Sequence, residues 1–158
     1  MTRVDGLAPE EALRKAKGYA LRLFKLRPRS EAELKAKLRD KGFTEDVSSR
    51  IIGEFKELGY IDDTVFARIW MQSRLKKYGF RRVARELTQK GILKEYIIAL
   101  WEDLRGEHDE AAVARDIVER RARLYKDIPV LKRKKRIMDF LARRGFSAET
   151  INKVIREL

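Results

Sequence analysis

The sequence predicts an all-α protein: three tandem three-helix repeats forming an elongated, curved molecule. Three observations predict it. Leu, Arg, Lys, Glu and Ala dominate the 158 residues, and strand-like alternation is scarce. Several of the nine glycines and three prolines fall where helices should begin or end. One six-residue phrase occurs three times, as LRDKGF at 38–43, LTQKGI at 87–92 and LARRGF at 141–146.

The phrase has the chemistry of a helix stop. With Gly42 as the first residue beyond a helix, Leu38 is its third-last residue and Phe43 the second beyond. Those two make the apolar contact that accompanies a Schellman cap. The same assignment pairs Leu87 with Ile92 and Leu141 with Phe146. Lys41, Lys90 and Arg144 stand where a cation complements the helix C-terminal dipole.

Each stop has a helix on either side. Leu34 and Leu38, Val83 and Leu87, and Ile137 and Leu141 give the preceding helices an i, i+4 apolar stripe. Ile51 and Phe55, Leu100 and Leu104, and Val154 and Leu158 do the same for the following ones. A longer helix precedes each pair. The first runs roughly from Glu10 to Leu26, before Pro28. The second starts at GYIDD and runs to Lys77, before Gly79; the third runs roughly from Glu107 to Lys126, before Pro129. In the second, Asp62 is the expected cap, with Ile61 and Phe66 at the positions of a hydrophobic staple. SEAE at 30–33 reads as a capping box of Ser30 and Glu33. FSAETI repeats the entry, with Ser147 as cap and Phe146 set against Ile151. Three units result, at 10–60, 61–106 and 107–158. Units this small bury little apolar surface alone and are expected to stack on their neighbours.

Charge is the loudest global signal. Thirty-eight Lys and Arg face twenty-five Asp and Glu, a net +13. Such an excess points to a polyanion or an acidic protein surface. No apolar run approaches the ~18 residues of a membrane span, and the first twenty residues lack the pattern of a secretory leader. There is no cysteine, so disulfides and thiol chemistry are excluded and the cytoplasm is the expected address.

No catalytic constellation assembles. His108 is the single histidine, set in EDLRGEHDE, and reads as a surface or helix-start residue. Without cysteine or a second histidine it makes no zinc cluster, and nothing pairs it with a nucleophile. Asp62 and Asp63 suggest magnesium less than capping, since they open a helix. Neither a GxxxxGK[ST] phosphate loop nor a GxGxxG fingerprint occurs. A non-enzyme without a cofactor is expected.

Two basic clusters remain. Arg74, Lys76, Lys77, Arg81, Arg82, Arg85, Lys90 and Lys94 surround one anion, Glu86. Arg120, Arg121, Arg123, Lys126 and the run Lys132, Arg133, Lys134, Lys135, Arg136 surround Asp127. On a helix, Arg81 and Arg85 lie opposite the Val83/Leu87 stripe and can face a partner. KRKKR at 132–136 also has the composition of a nuclear address or a solvated helix start; a contact surface is the favoured reading. Tyr78, Phe80 and Tyr125 are flat enough to stack on bases, though packing in the core is their expected role. Lys and Arg reading phosphates give affinity and salt dependence rather than base specificity.

Taken together, RPRSEAELKAKLRDKGF, GYIDDTVFARIW, GFRRVARELTQKGI and LARRGFSAETINKVI resemble the RecX family of bacterial recombination regulators, from Ala12 to Leu158 in the family's order. The first three phrases together are fairly specific. The resemblance implies three tandem repeats related to helix-turn-helix units. It further implies a monomeric, cytoplasmic modulator of DNA repair, recombination and the SOS response. Such a protein binds the RecA–single-stranded DNA filament and alters its ATP hydrolysis, strand exchange or stability. Gly42, Asp62, Phe66, Trp70, Leu87 and Gly91 match the family's motifs and read as structural. The contacts are expected at Arg74, Lys76, Lys77, Arg81, Arg82, Arg85 and Lys132 to Arg136. The alternative is a helix-turn-helix protein binding duplex DNA directly; the scarcity of amides on the candidate helices weakens it.

Overall fold

The structure, a computed structural model, describes residues 8–125 and 127–158, with the backbone alone for residues 122 and 123. The start of the chain that was read for a leader, the Arg123 side chain and Lys126 lie outside these. Among the described residues there are nine α-helices and no strand: α1 Pro9–Leu26, α2 Glu31–Asp40, α3 Glu45–Glu57, α4 Asp63–Leu75, α5 Phe80–Gln89, α6 Lys94–Leu104, α7 Glu110–Ala122, α8 Val130–Arg143 and α9 Ala148–Arg156. They gather into two compact bodies. One comprises the residues through Ala67 together with Lys90–Ile92; the other comprises Arg68–Gln89 and Leu93–Leu158.

In the first body α1 offers a face of small residues. Ala12, Ala16 and Ala20, spaced i, i+4, are buried and let α2 and α3 approach closely. Leu34 and Leu38 of α2 and Ile51 and Phe55 of α3 fill the space. Each such side chain contributes roughly 1.5–3 kcal/mol. In the second body, the stripe of α5 (Val83, Leu87) is buried, as are Ile97 and Leu100 of α6. Farther along, Ala114 and Val118 of α7, Ile137 and Leu141 of α8, and Phe146, Ile151 and Val154 form one cluster.

The repeated phrase ends its helices as expected. The Phe43 N–H donates to the Leu38 carbonyl (3.1 Å), and the Gly42 N–H to that of Arg39 (2.9 Å), with Gly42 at φ 91°. Gly145, at φ 84°, makes the same pair of bonds: Phe146 to Leu141 and its own N–H to Ala142. The sequence hid a fourth stop. Gly59 of FKELGY closes α3 identically, with Tyr60 bonded to Phe55 and their rings 5.2 Å apart.

Three boundaries depart from expectation. α4 ends at Leu75 rather than Lys77, because the N–H groups of Lys77 and Tyr78 both turn onto the Arg74 carbonyl. α7 starts at Glu110 rather than Glu107, because Asp109 caps it through the Ala112 N–H (2.9 Å). Leu158 lies beyond the end of α9 and is 41% exposed, so it does not extend the buried stripe.

Each body contains one joint, and the two share a design. In the first, Asp63, the opening residue of α4, accepts the N–H of Glu31, the opening residue of α2 (2.9 Å). Beside it the Ser30 hydroxyl donates to the Lys90 carbonyl (2.6 Å), and a Cβ on Gly91 would lie 2.4 Å from that of Ala32. In the second, Glu110 opens α7 and accepts the N–H of Phe80, which opens α5 (3.3 Å). Here too a glycine turn closes in: the Gly79 N–H donates to the Arg144 carbonyl and that of Arg81 to the Gly145 carbonyl. Thus the start of a middle helix is covered twice over, by a carboxylate opening the next long helix and by the next glycine turn.

Candidate nucleic-acid and protein contact surface

The cations of the first basic cluster divide into held and free. Arg74 grips Glu86 with two bonds, Nε to Oε2 at 2.8 Å and Nη2 to Oε1 at 2.6 Å. Arg82 adds a third at 3.2 Å, and the Trp70 indole N–H donates a fourth at 3.2 Å. The Arg74 bond chiefly, aided by Arg82, holds the Glu86 carboxyl below its ordinary range despite partial burial. Three guanidiniums also crowd the Tyr78 ring: Arg82 at 4.1 Å, Arg74 at 4.2 Å and Arg144 at 5.2 Å. Lys76, Lys77, Arg81 and Arg85, by contrast, are exposed. Arg81 and Arg85 stand one turn apart, opposite the buried Val83 and Leu87, so they project together.

In the second cluster Lys132, Lys135 and Arg136 are exposed along α8, while Arg133 and Lys134 are half-buried. Arg121 lies 4.2 Å from the Phe140 ring and donates to the Tyr125 hydroxyl (3.3 Å); Arg144 lies against the same Phe140 at 4.8 Å. The aromatics near both clusters are therefore already engaged. Phe80 stacks on Trp101 at 4.5 Å, and Tyr125 is buried. A base must displace an arginine to reach Tyr78, whereas a phosphate meets free cations without disturbance.

The acidic and histidine candidates are occupied with structure. Asp62 caps α4, accepting from the N–H groups of Thr64 (2.9 Å) and Val65 (3.0 Å). The Thr64 hydroxyl bond and these amides hold its carboxyl low. Burial pushes Asp63 the other way, only partly opposed by the Glu31 N–H. His108 is half-buried, edge-on to Trp101, and burial lowers its pKa against the pull of Glu110 and Asp109. No group of three or more metal-ligating side chains forms among the described residues, and none of their helices is long and apolar enough to cross a membrane.

Sequence reasoning missed Glu110. It accepts from Phe80, from the N–H and hydroxyl of Ser147, and from the Thr150 hydroxyl (2.6 Å). It also missed Arg144 as a ring partner, having read it only as a cation at a helix end.

Three three-helix units with cations free on α5 and α8 define a tandem helical-repeat protein with basic faces. Three family models match successive parts of the chain: the first three-helix domain of RecX matches residues 16–55, the second 62–99 and the third 108–155. The chain belongs to the RecX family. It is 36% identical over 152 residues to the regulatory protein RecX of Thermobifida fusca (strain YX), covering 95% of this chain and 82% of that one. With the regulatory protein RecX of Mycobacterium sp. (strain JLS) it shares 39% over 142 residues, 84% and 75% of the two. The crystal structure of RecX from Lactobacillus salivarius has the same fold, with a TM-score of 0.77 at 23% identity over 94% of this chain and 97% of that one.

Proposed function

We propose that the protein is a non-catalytic regulator that binds the RecA filament on single-stranded DNA and modulates its ATPase, strand exchange and lifetime. It acts as a cytoplasmic monomer without a cofactor, in DNA repair and the SOS response. Membership of a family of regulatory proteins gives the role. The observation that carries the contact is the pair Arg81 and Arg85, exposed one turn apart on α5, while Arg74 and Arg82 are engaged by Glu86. Free guanidiniums at that spacing suit phosphates or carboxylates along a repeating partner. Direct reading of duplex DNA is less suited, since the outward face of α5 presents Arg81 and Arg85 and a single amide, Gln89, at its last residue.

The test is RecA ATP turnover on single-stranded DNA with the protein present at less than one copy per RecA. A changed turnover or filament lifetime is expected. Unchanged turnover, strand exchange and lifetime would overturn the reading.

A further inference from the structure

The second body contains a row of stacked guanidiniums that its packing alone does not explain. Arg121 of α7 lies over the Phe140 ring at 4.2 Å, and Arg144 lies over the same ring at 4.8 Å. Arg144 is also 5.2 Å from Tyr78, whose ring takes Arg82 at 4.1 Å and Arg74 at 4.2 Å. Cation and ring thus alternate, as Arg121, Phe140, Arg144, Tyr78 and Arg82, within one compact body. The joint makes the row continuous. A Cβ on Gly145 would lie 2.5 Å from that of Arg82, so Arg82 and Arg144 leave touching backbones toward one ring.

The charges of the row do not cancel. Glu86 pairs with Arg74 and Arg82. Among the described residues Arg121 and Arg144 pair with no carboxylate: Arg121 donates to the Tyr125 hydroxyl, and Arg144 to the Lys77 carbonyl (3.0 Å). Guanidiniums in excess of acid repel one another, and an anion among them relieves that repulsion. The donors for one are present. A guanidinium lying on a ring keeps its planar fork of N–H groups. Arg82 spends its Nε on Glu86 and Arg144 one Nη on Lys77, which leaves several donors on each.

We infer that this row is a track for the phosphates of single-stranded nucleic acid, in which Arg82 and Arg144 grip one phosphate beside Tyr78 and Arg121 meets another beside Phe140. The forks suit phosphate oxygens, and the rings hold them in place before the strand arrives. An acidic peptide fits less well. Arginines already lie over Tyr78 and Phe140, so little apolar surface remains for its side chains, whereas a phosphate chain binds through charge and counter-ion release. The track is a second line of contacts beside Arg81 and Arg85. It deepens the regulator reading by assigning this side of the second body to the DNA of the filament, and rests on that reading for the identity of the strand.

The test compares wild type with Arg121→Gln, Arg144→Gln and the double variant. Labelled oligo-dT is titrated at several salt concentrations and followed by fluorescence anisotropy, with thermal melts alongside. Each lost phosphate contact should lower the slope of log affinity against log salt by about 0.7, and the double variant by about 1.4. If Arg144→Gln melts below the assay temperature, Arg144→Lys replaces it. That variant should hold the wild-type slope but bind about threefold or more weakly, because an ammonium lacks the planar fork; wild-type affinity there would overturn the grip. A wild-type slope in the double variant would overturn the inference, as would an equal loss of affinity for a labelled poly-glutamate peptide. RecA is absent from this assay, so the two readings fail separately. A lowered slope with RecA turnover unmoved by wild type leaves the track and removes the regulator; an unmoved slope with altered turnover does the reverse.

Discussion

Gly79 and Gly145 cross so closely that a Cβ on Gly79 would lie 2.2 Å from the Gly145 carbonyl oxygen. The close approach is what lets two backbone hydrogen bonds form between the start of α5 and the turn after α8. Gly79→Ala therefore has to push two backbones apart, and Gly145→Ala adds a strained φ of 84°. Each should cost about 2–4 kcal/mol. Gly53→Ala is the control, since that glycine is exposed inside α3 and its Cβ would meet nothing within 4 Å. It should gain about 0.5–1 kcal/mol. Denaturant unfolding of the three variants checks the order; a mild Gly79→Ala would mean that the two backbones part easily.

Glu110 should behave as a hub rather than as a surface acid. Removing it strands the Phe80 N–H and leaves the Ser147 and Thr150 hydroxyls, 2.9 Å apart, with one acceptor fewer between them. Glu110→Ala is expected to cost about 2–4 kcal/mol, and Glu110→Gln less, because an amide keeps one accepting oxygen. Melting curves of both variants decide it, and a neutral Glu110→Ala would refute the role.

The Glu33 carboxyl links acid stability to the first joint. Burial alone would raise its pKa, but bonds from Arg27, Lys90 and the Ser30 N–H bring it from 4.5 to about 2. A value depressed in the folded chain means that the ionised form favours folding. The contribution is thus complete above 4.5 and lost as the pH falls through that value toward 2. With solvent screening allowed for, it is on the order of 1–2 kcal/mol. Glu33→Gln should flatten this part of the pH–stability curve, measured by unfolding at about pH 3 and about pH 6. Equal acid losses in variant and wild type would count against it.

Held and free arginines should separate in their effects. Arg81→Ala with Arg85→Ala is expected to leave the fold intact and lower the salt slope for oligo-dT by about 1–1.5, since each phosphate left without its cation removes about 0.7. Arg74→Ala should cost about 1–2 kcal/mol of stability, because Glu86 loses its two shortest hydrogen bonds. Titrations over a range of salt, with thermal melts alongside, test both. A slope unmoved by the double variant would remove α5 from the phosphate-binding surface.

What was legible in the sequence was local. A Schellman cap spans six residues and a capping box four, so Gly42, Gly145, Ser30 and Ser147 declared themselves. Gly59 escaped because its phrase carries Leu58 where the others have a cation, although Phe55 and Tyr60 supply the apolar pairing. The joints were not legible: Phe80 and Glu110 are 30 residues apart and Ser30 and Lys90 are 60. No periodicity reports a carboxylate that reaches a different helix. The same limit applied to the basic clusters. Composition counted the cations of Arg74–Lys94 but could not say that Arg74 and Arg82 spend their charge on Glu86.

Trp70 donates to Glu86 and Trp101 stacks on Phe80, so both tryptophans of the chain sit in the second body. Indole emission consequently reports that body alone, and the first is dark to it, lit only by tyrosines such as Tyr19 and Tyr60. Backbone ellipticity sees both. Superimposable unfolding curves by the two signals mean that the bodies melt as one cooperative unit, and a gap between the curves measures their independence directly.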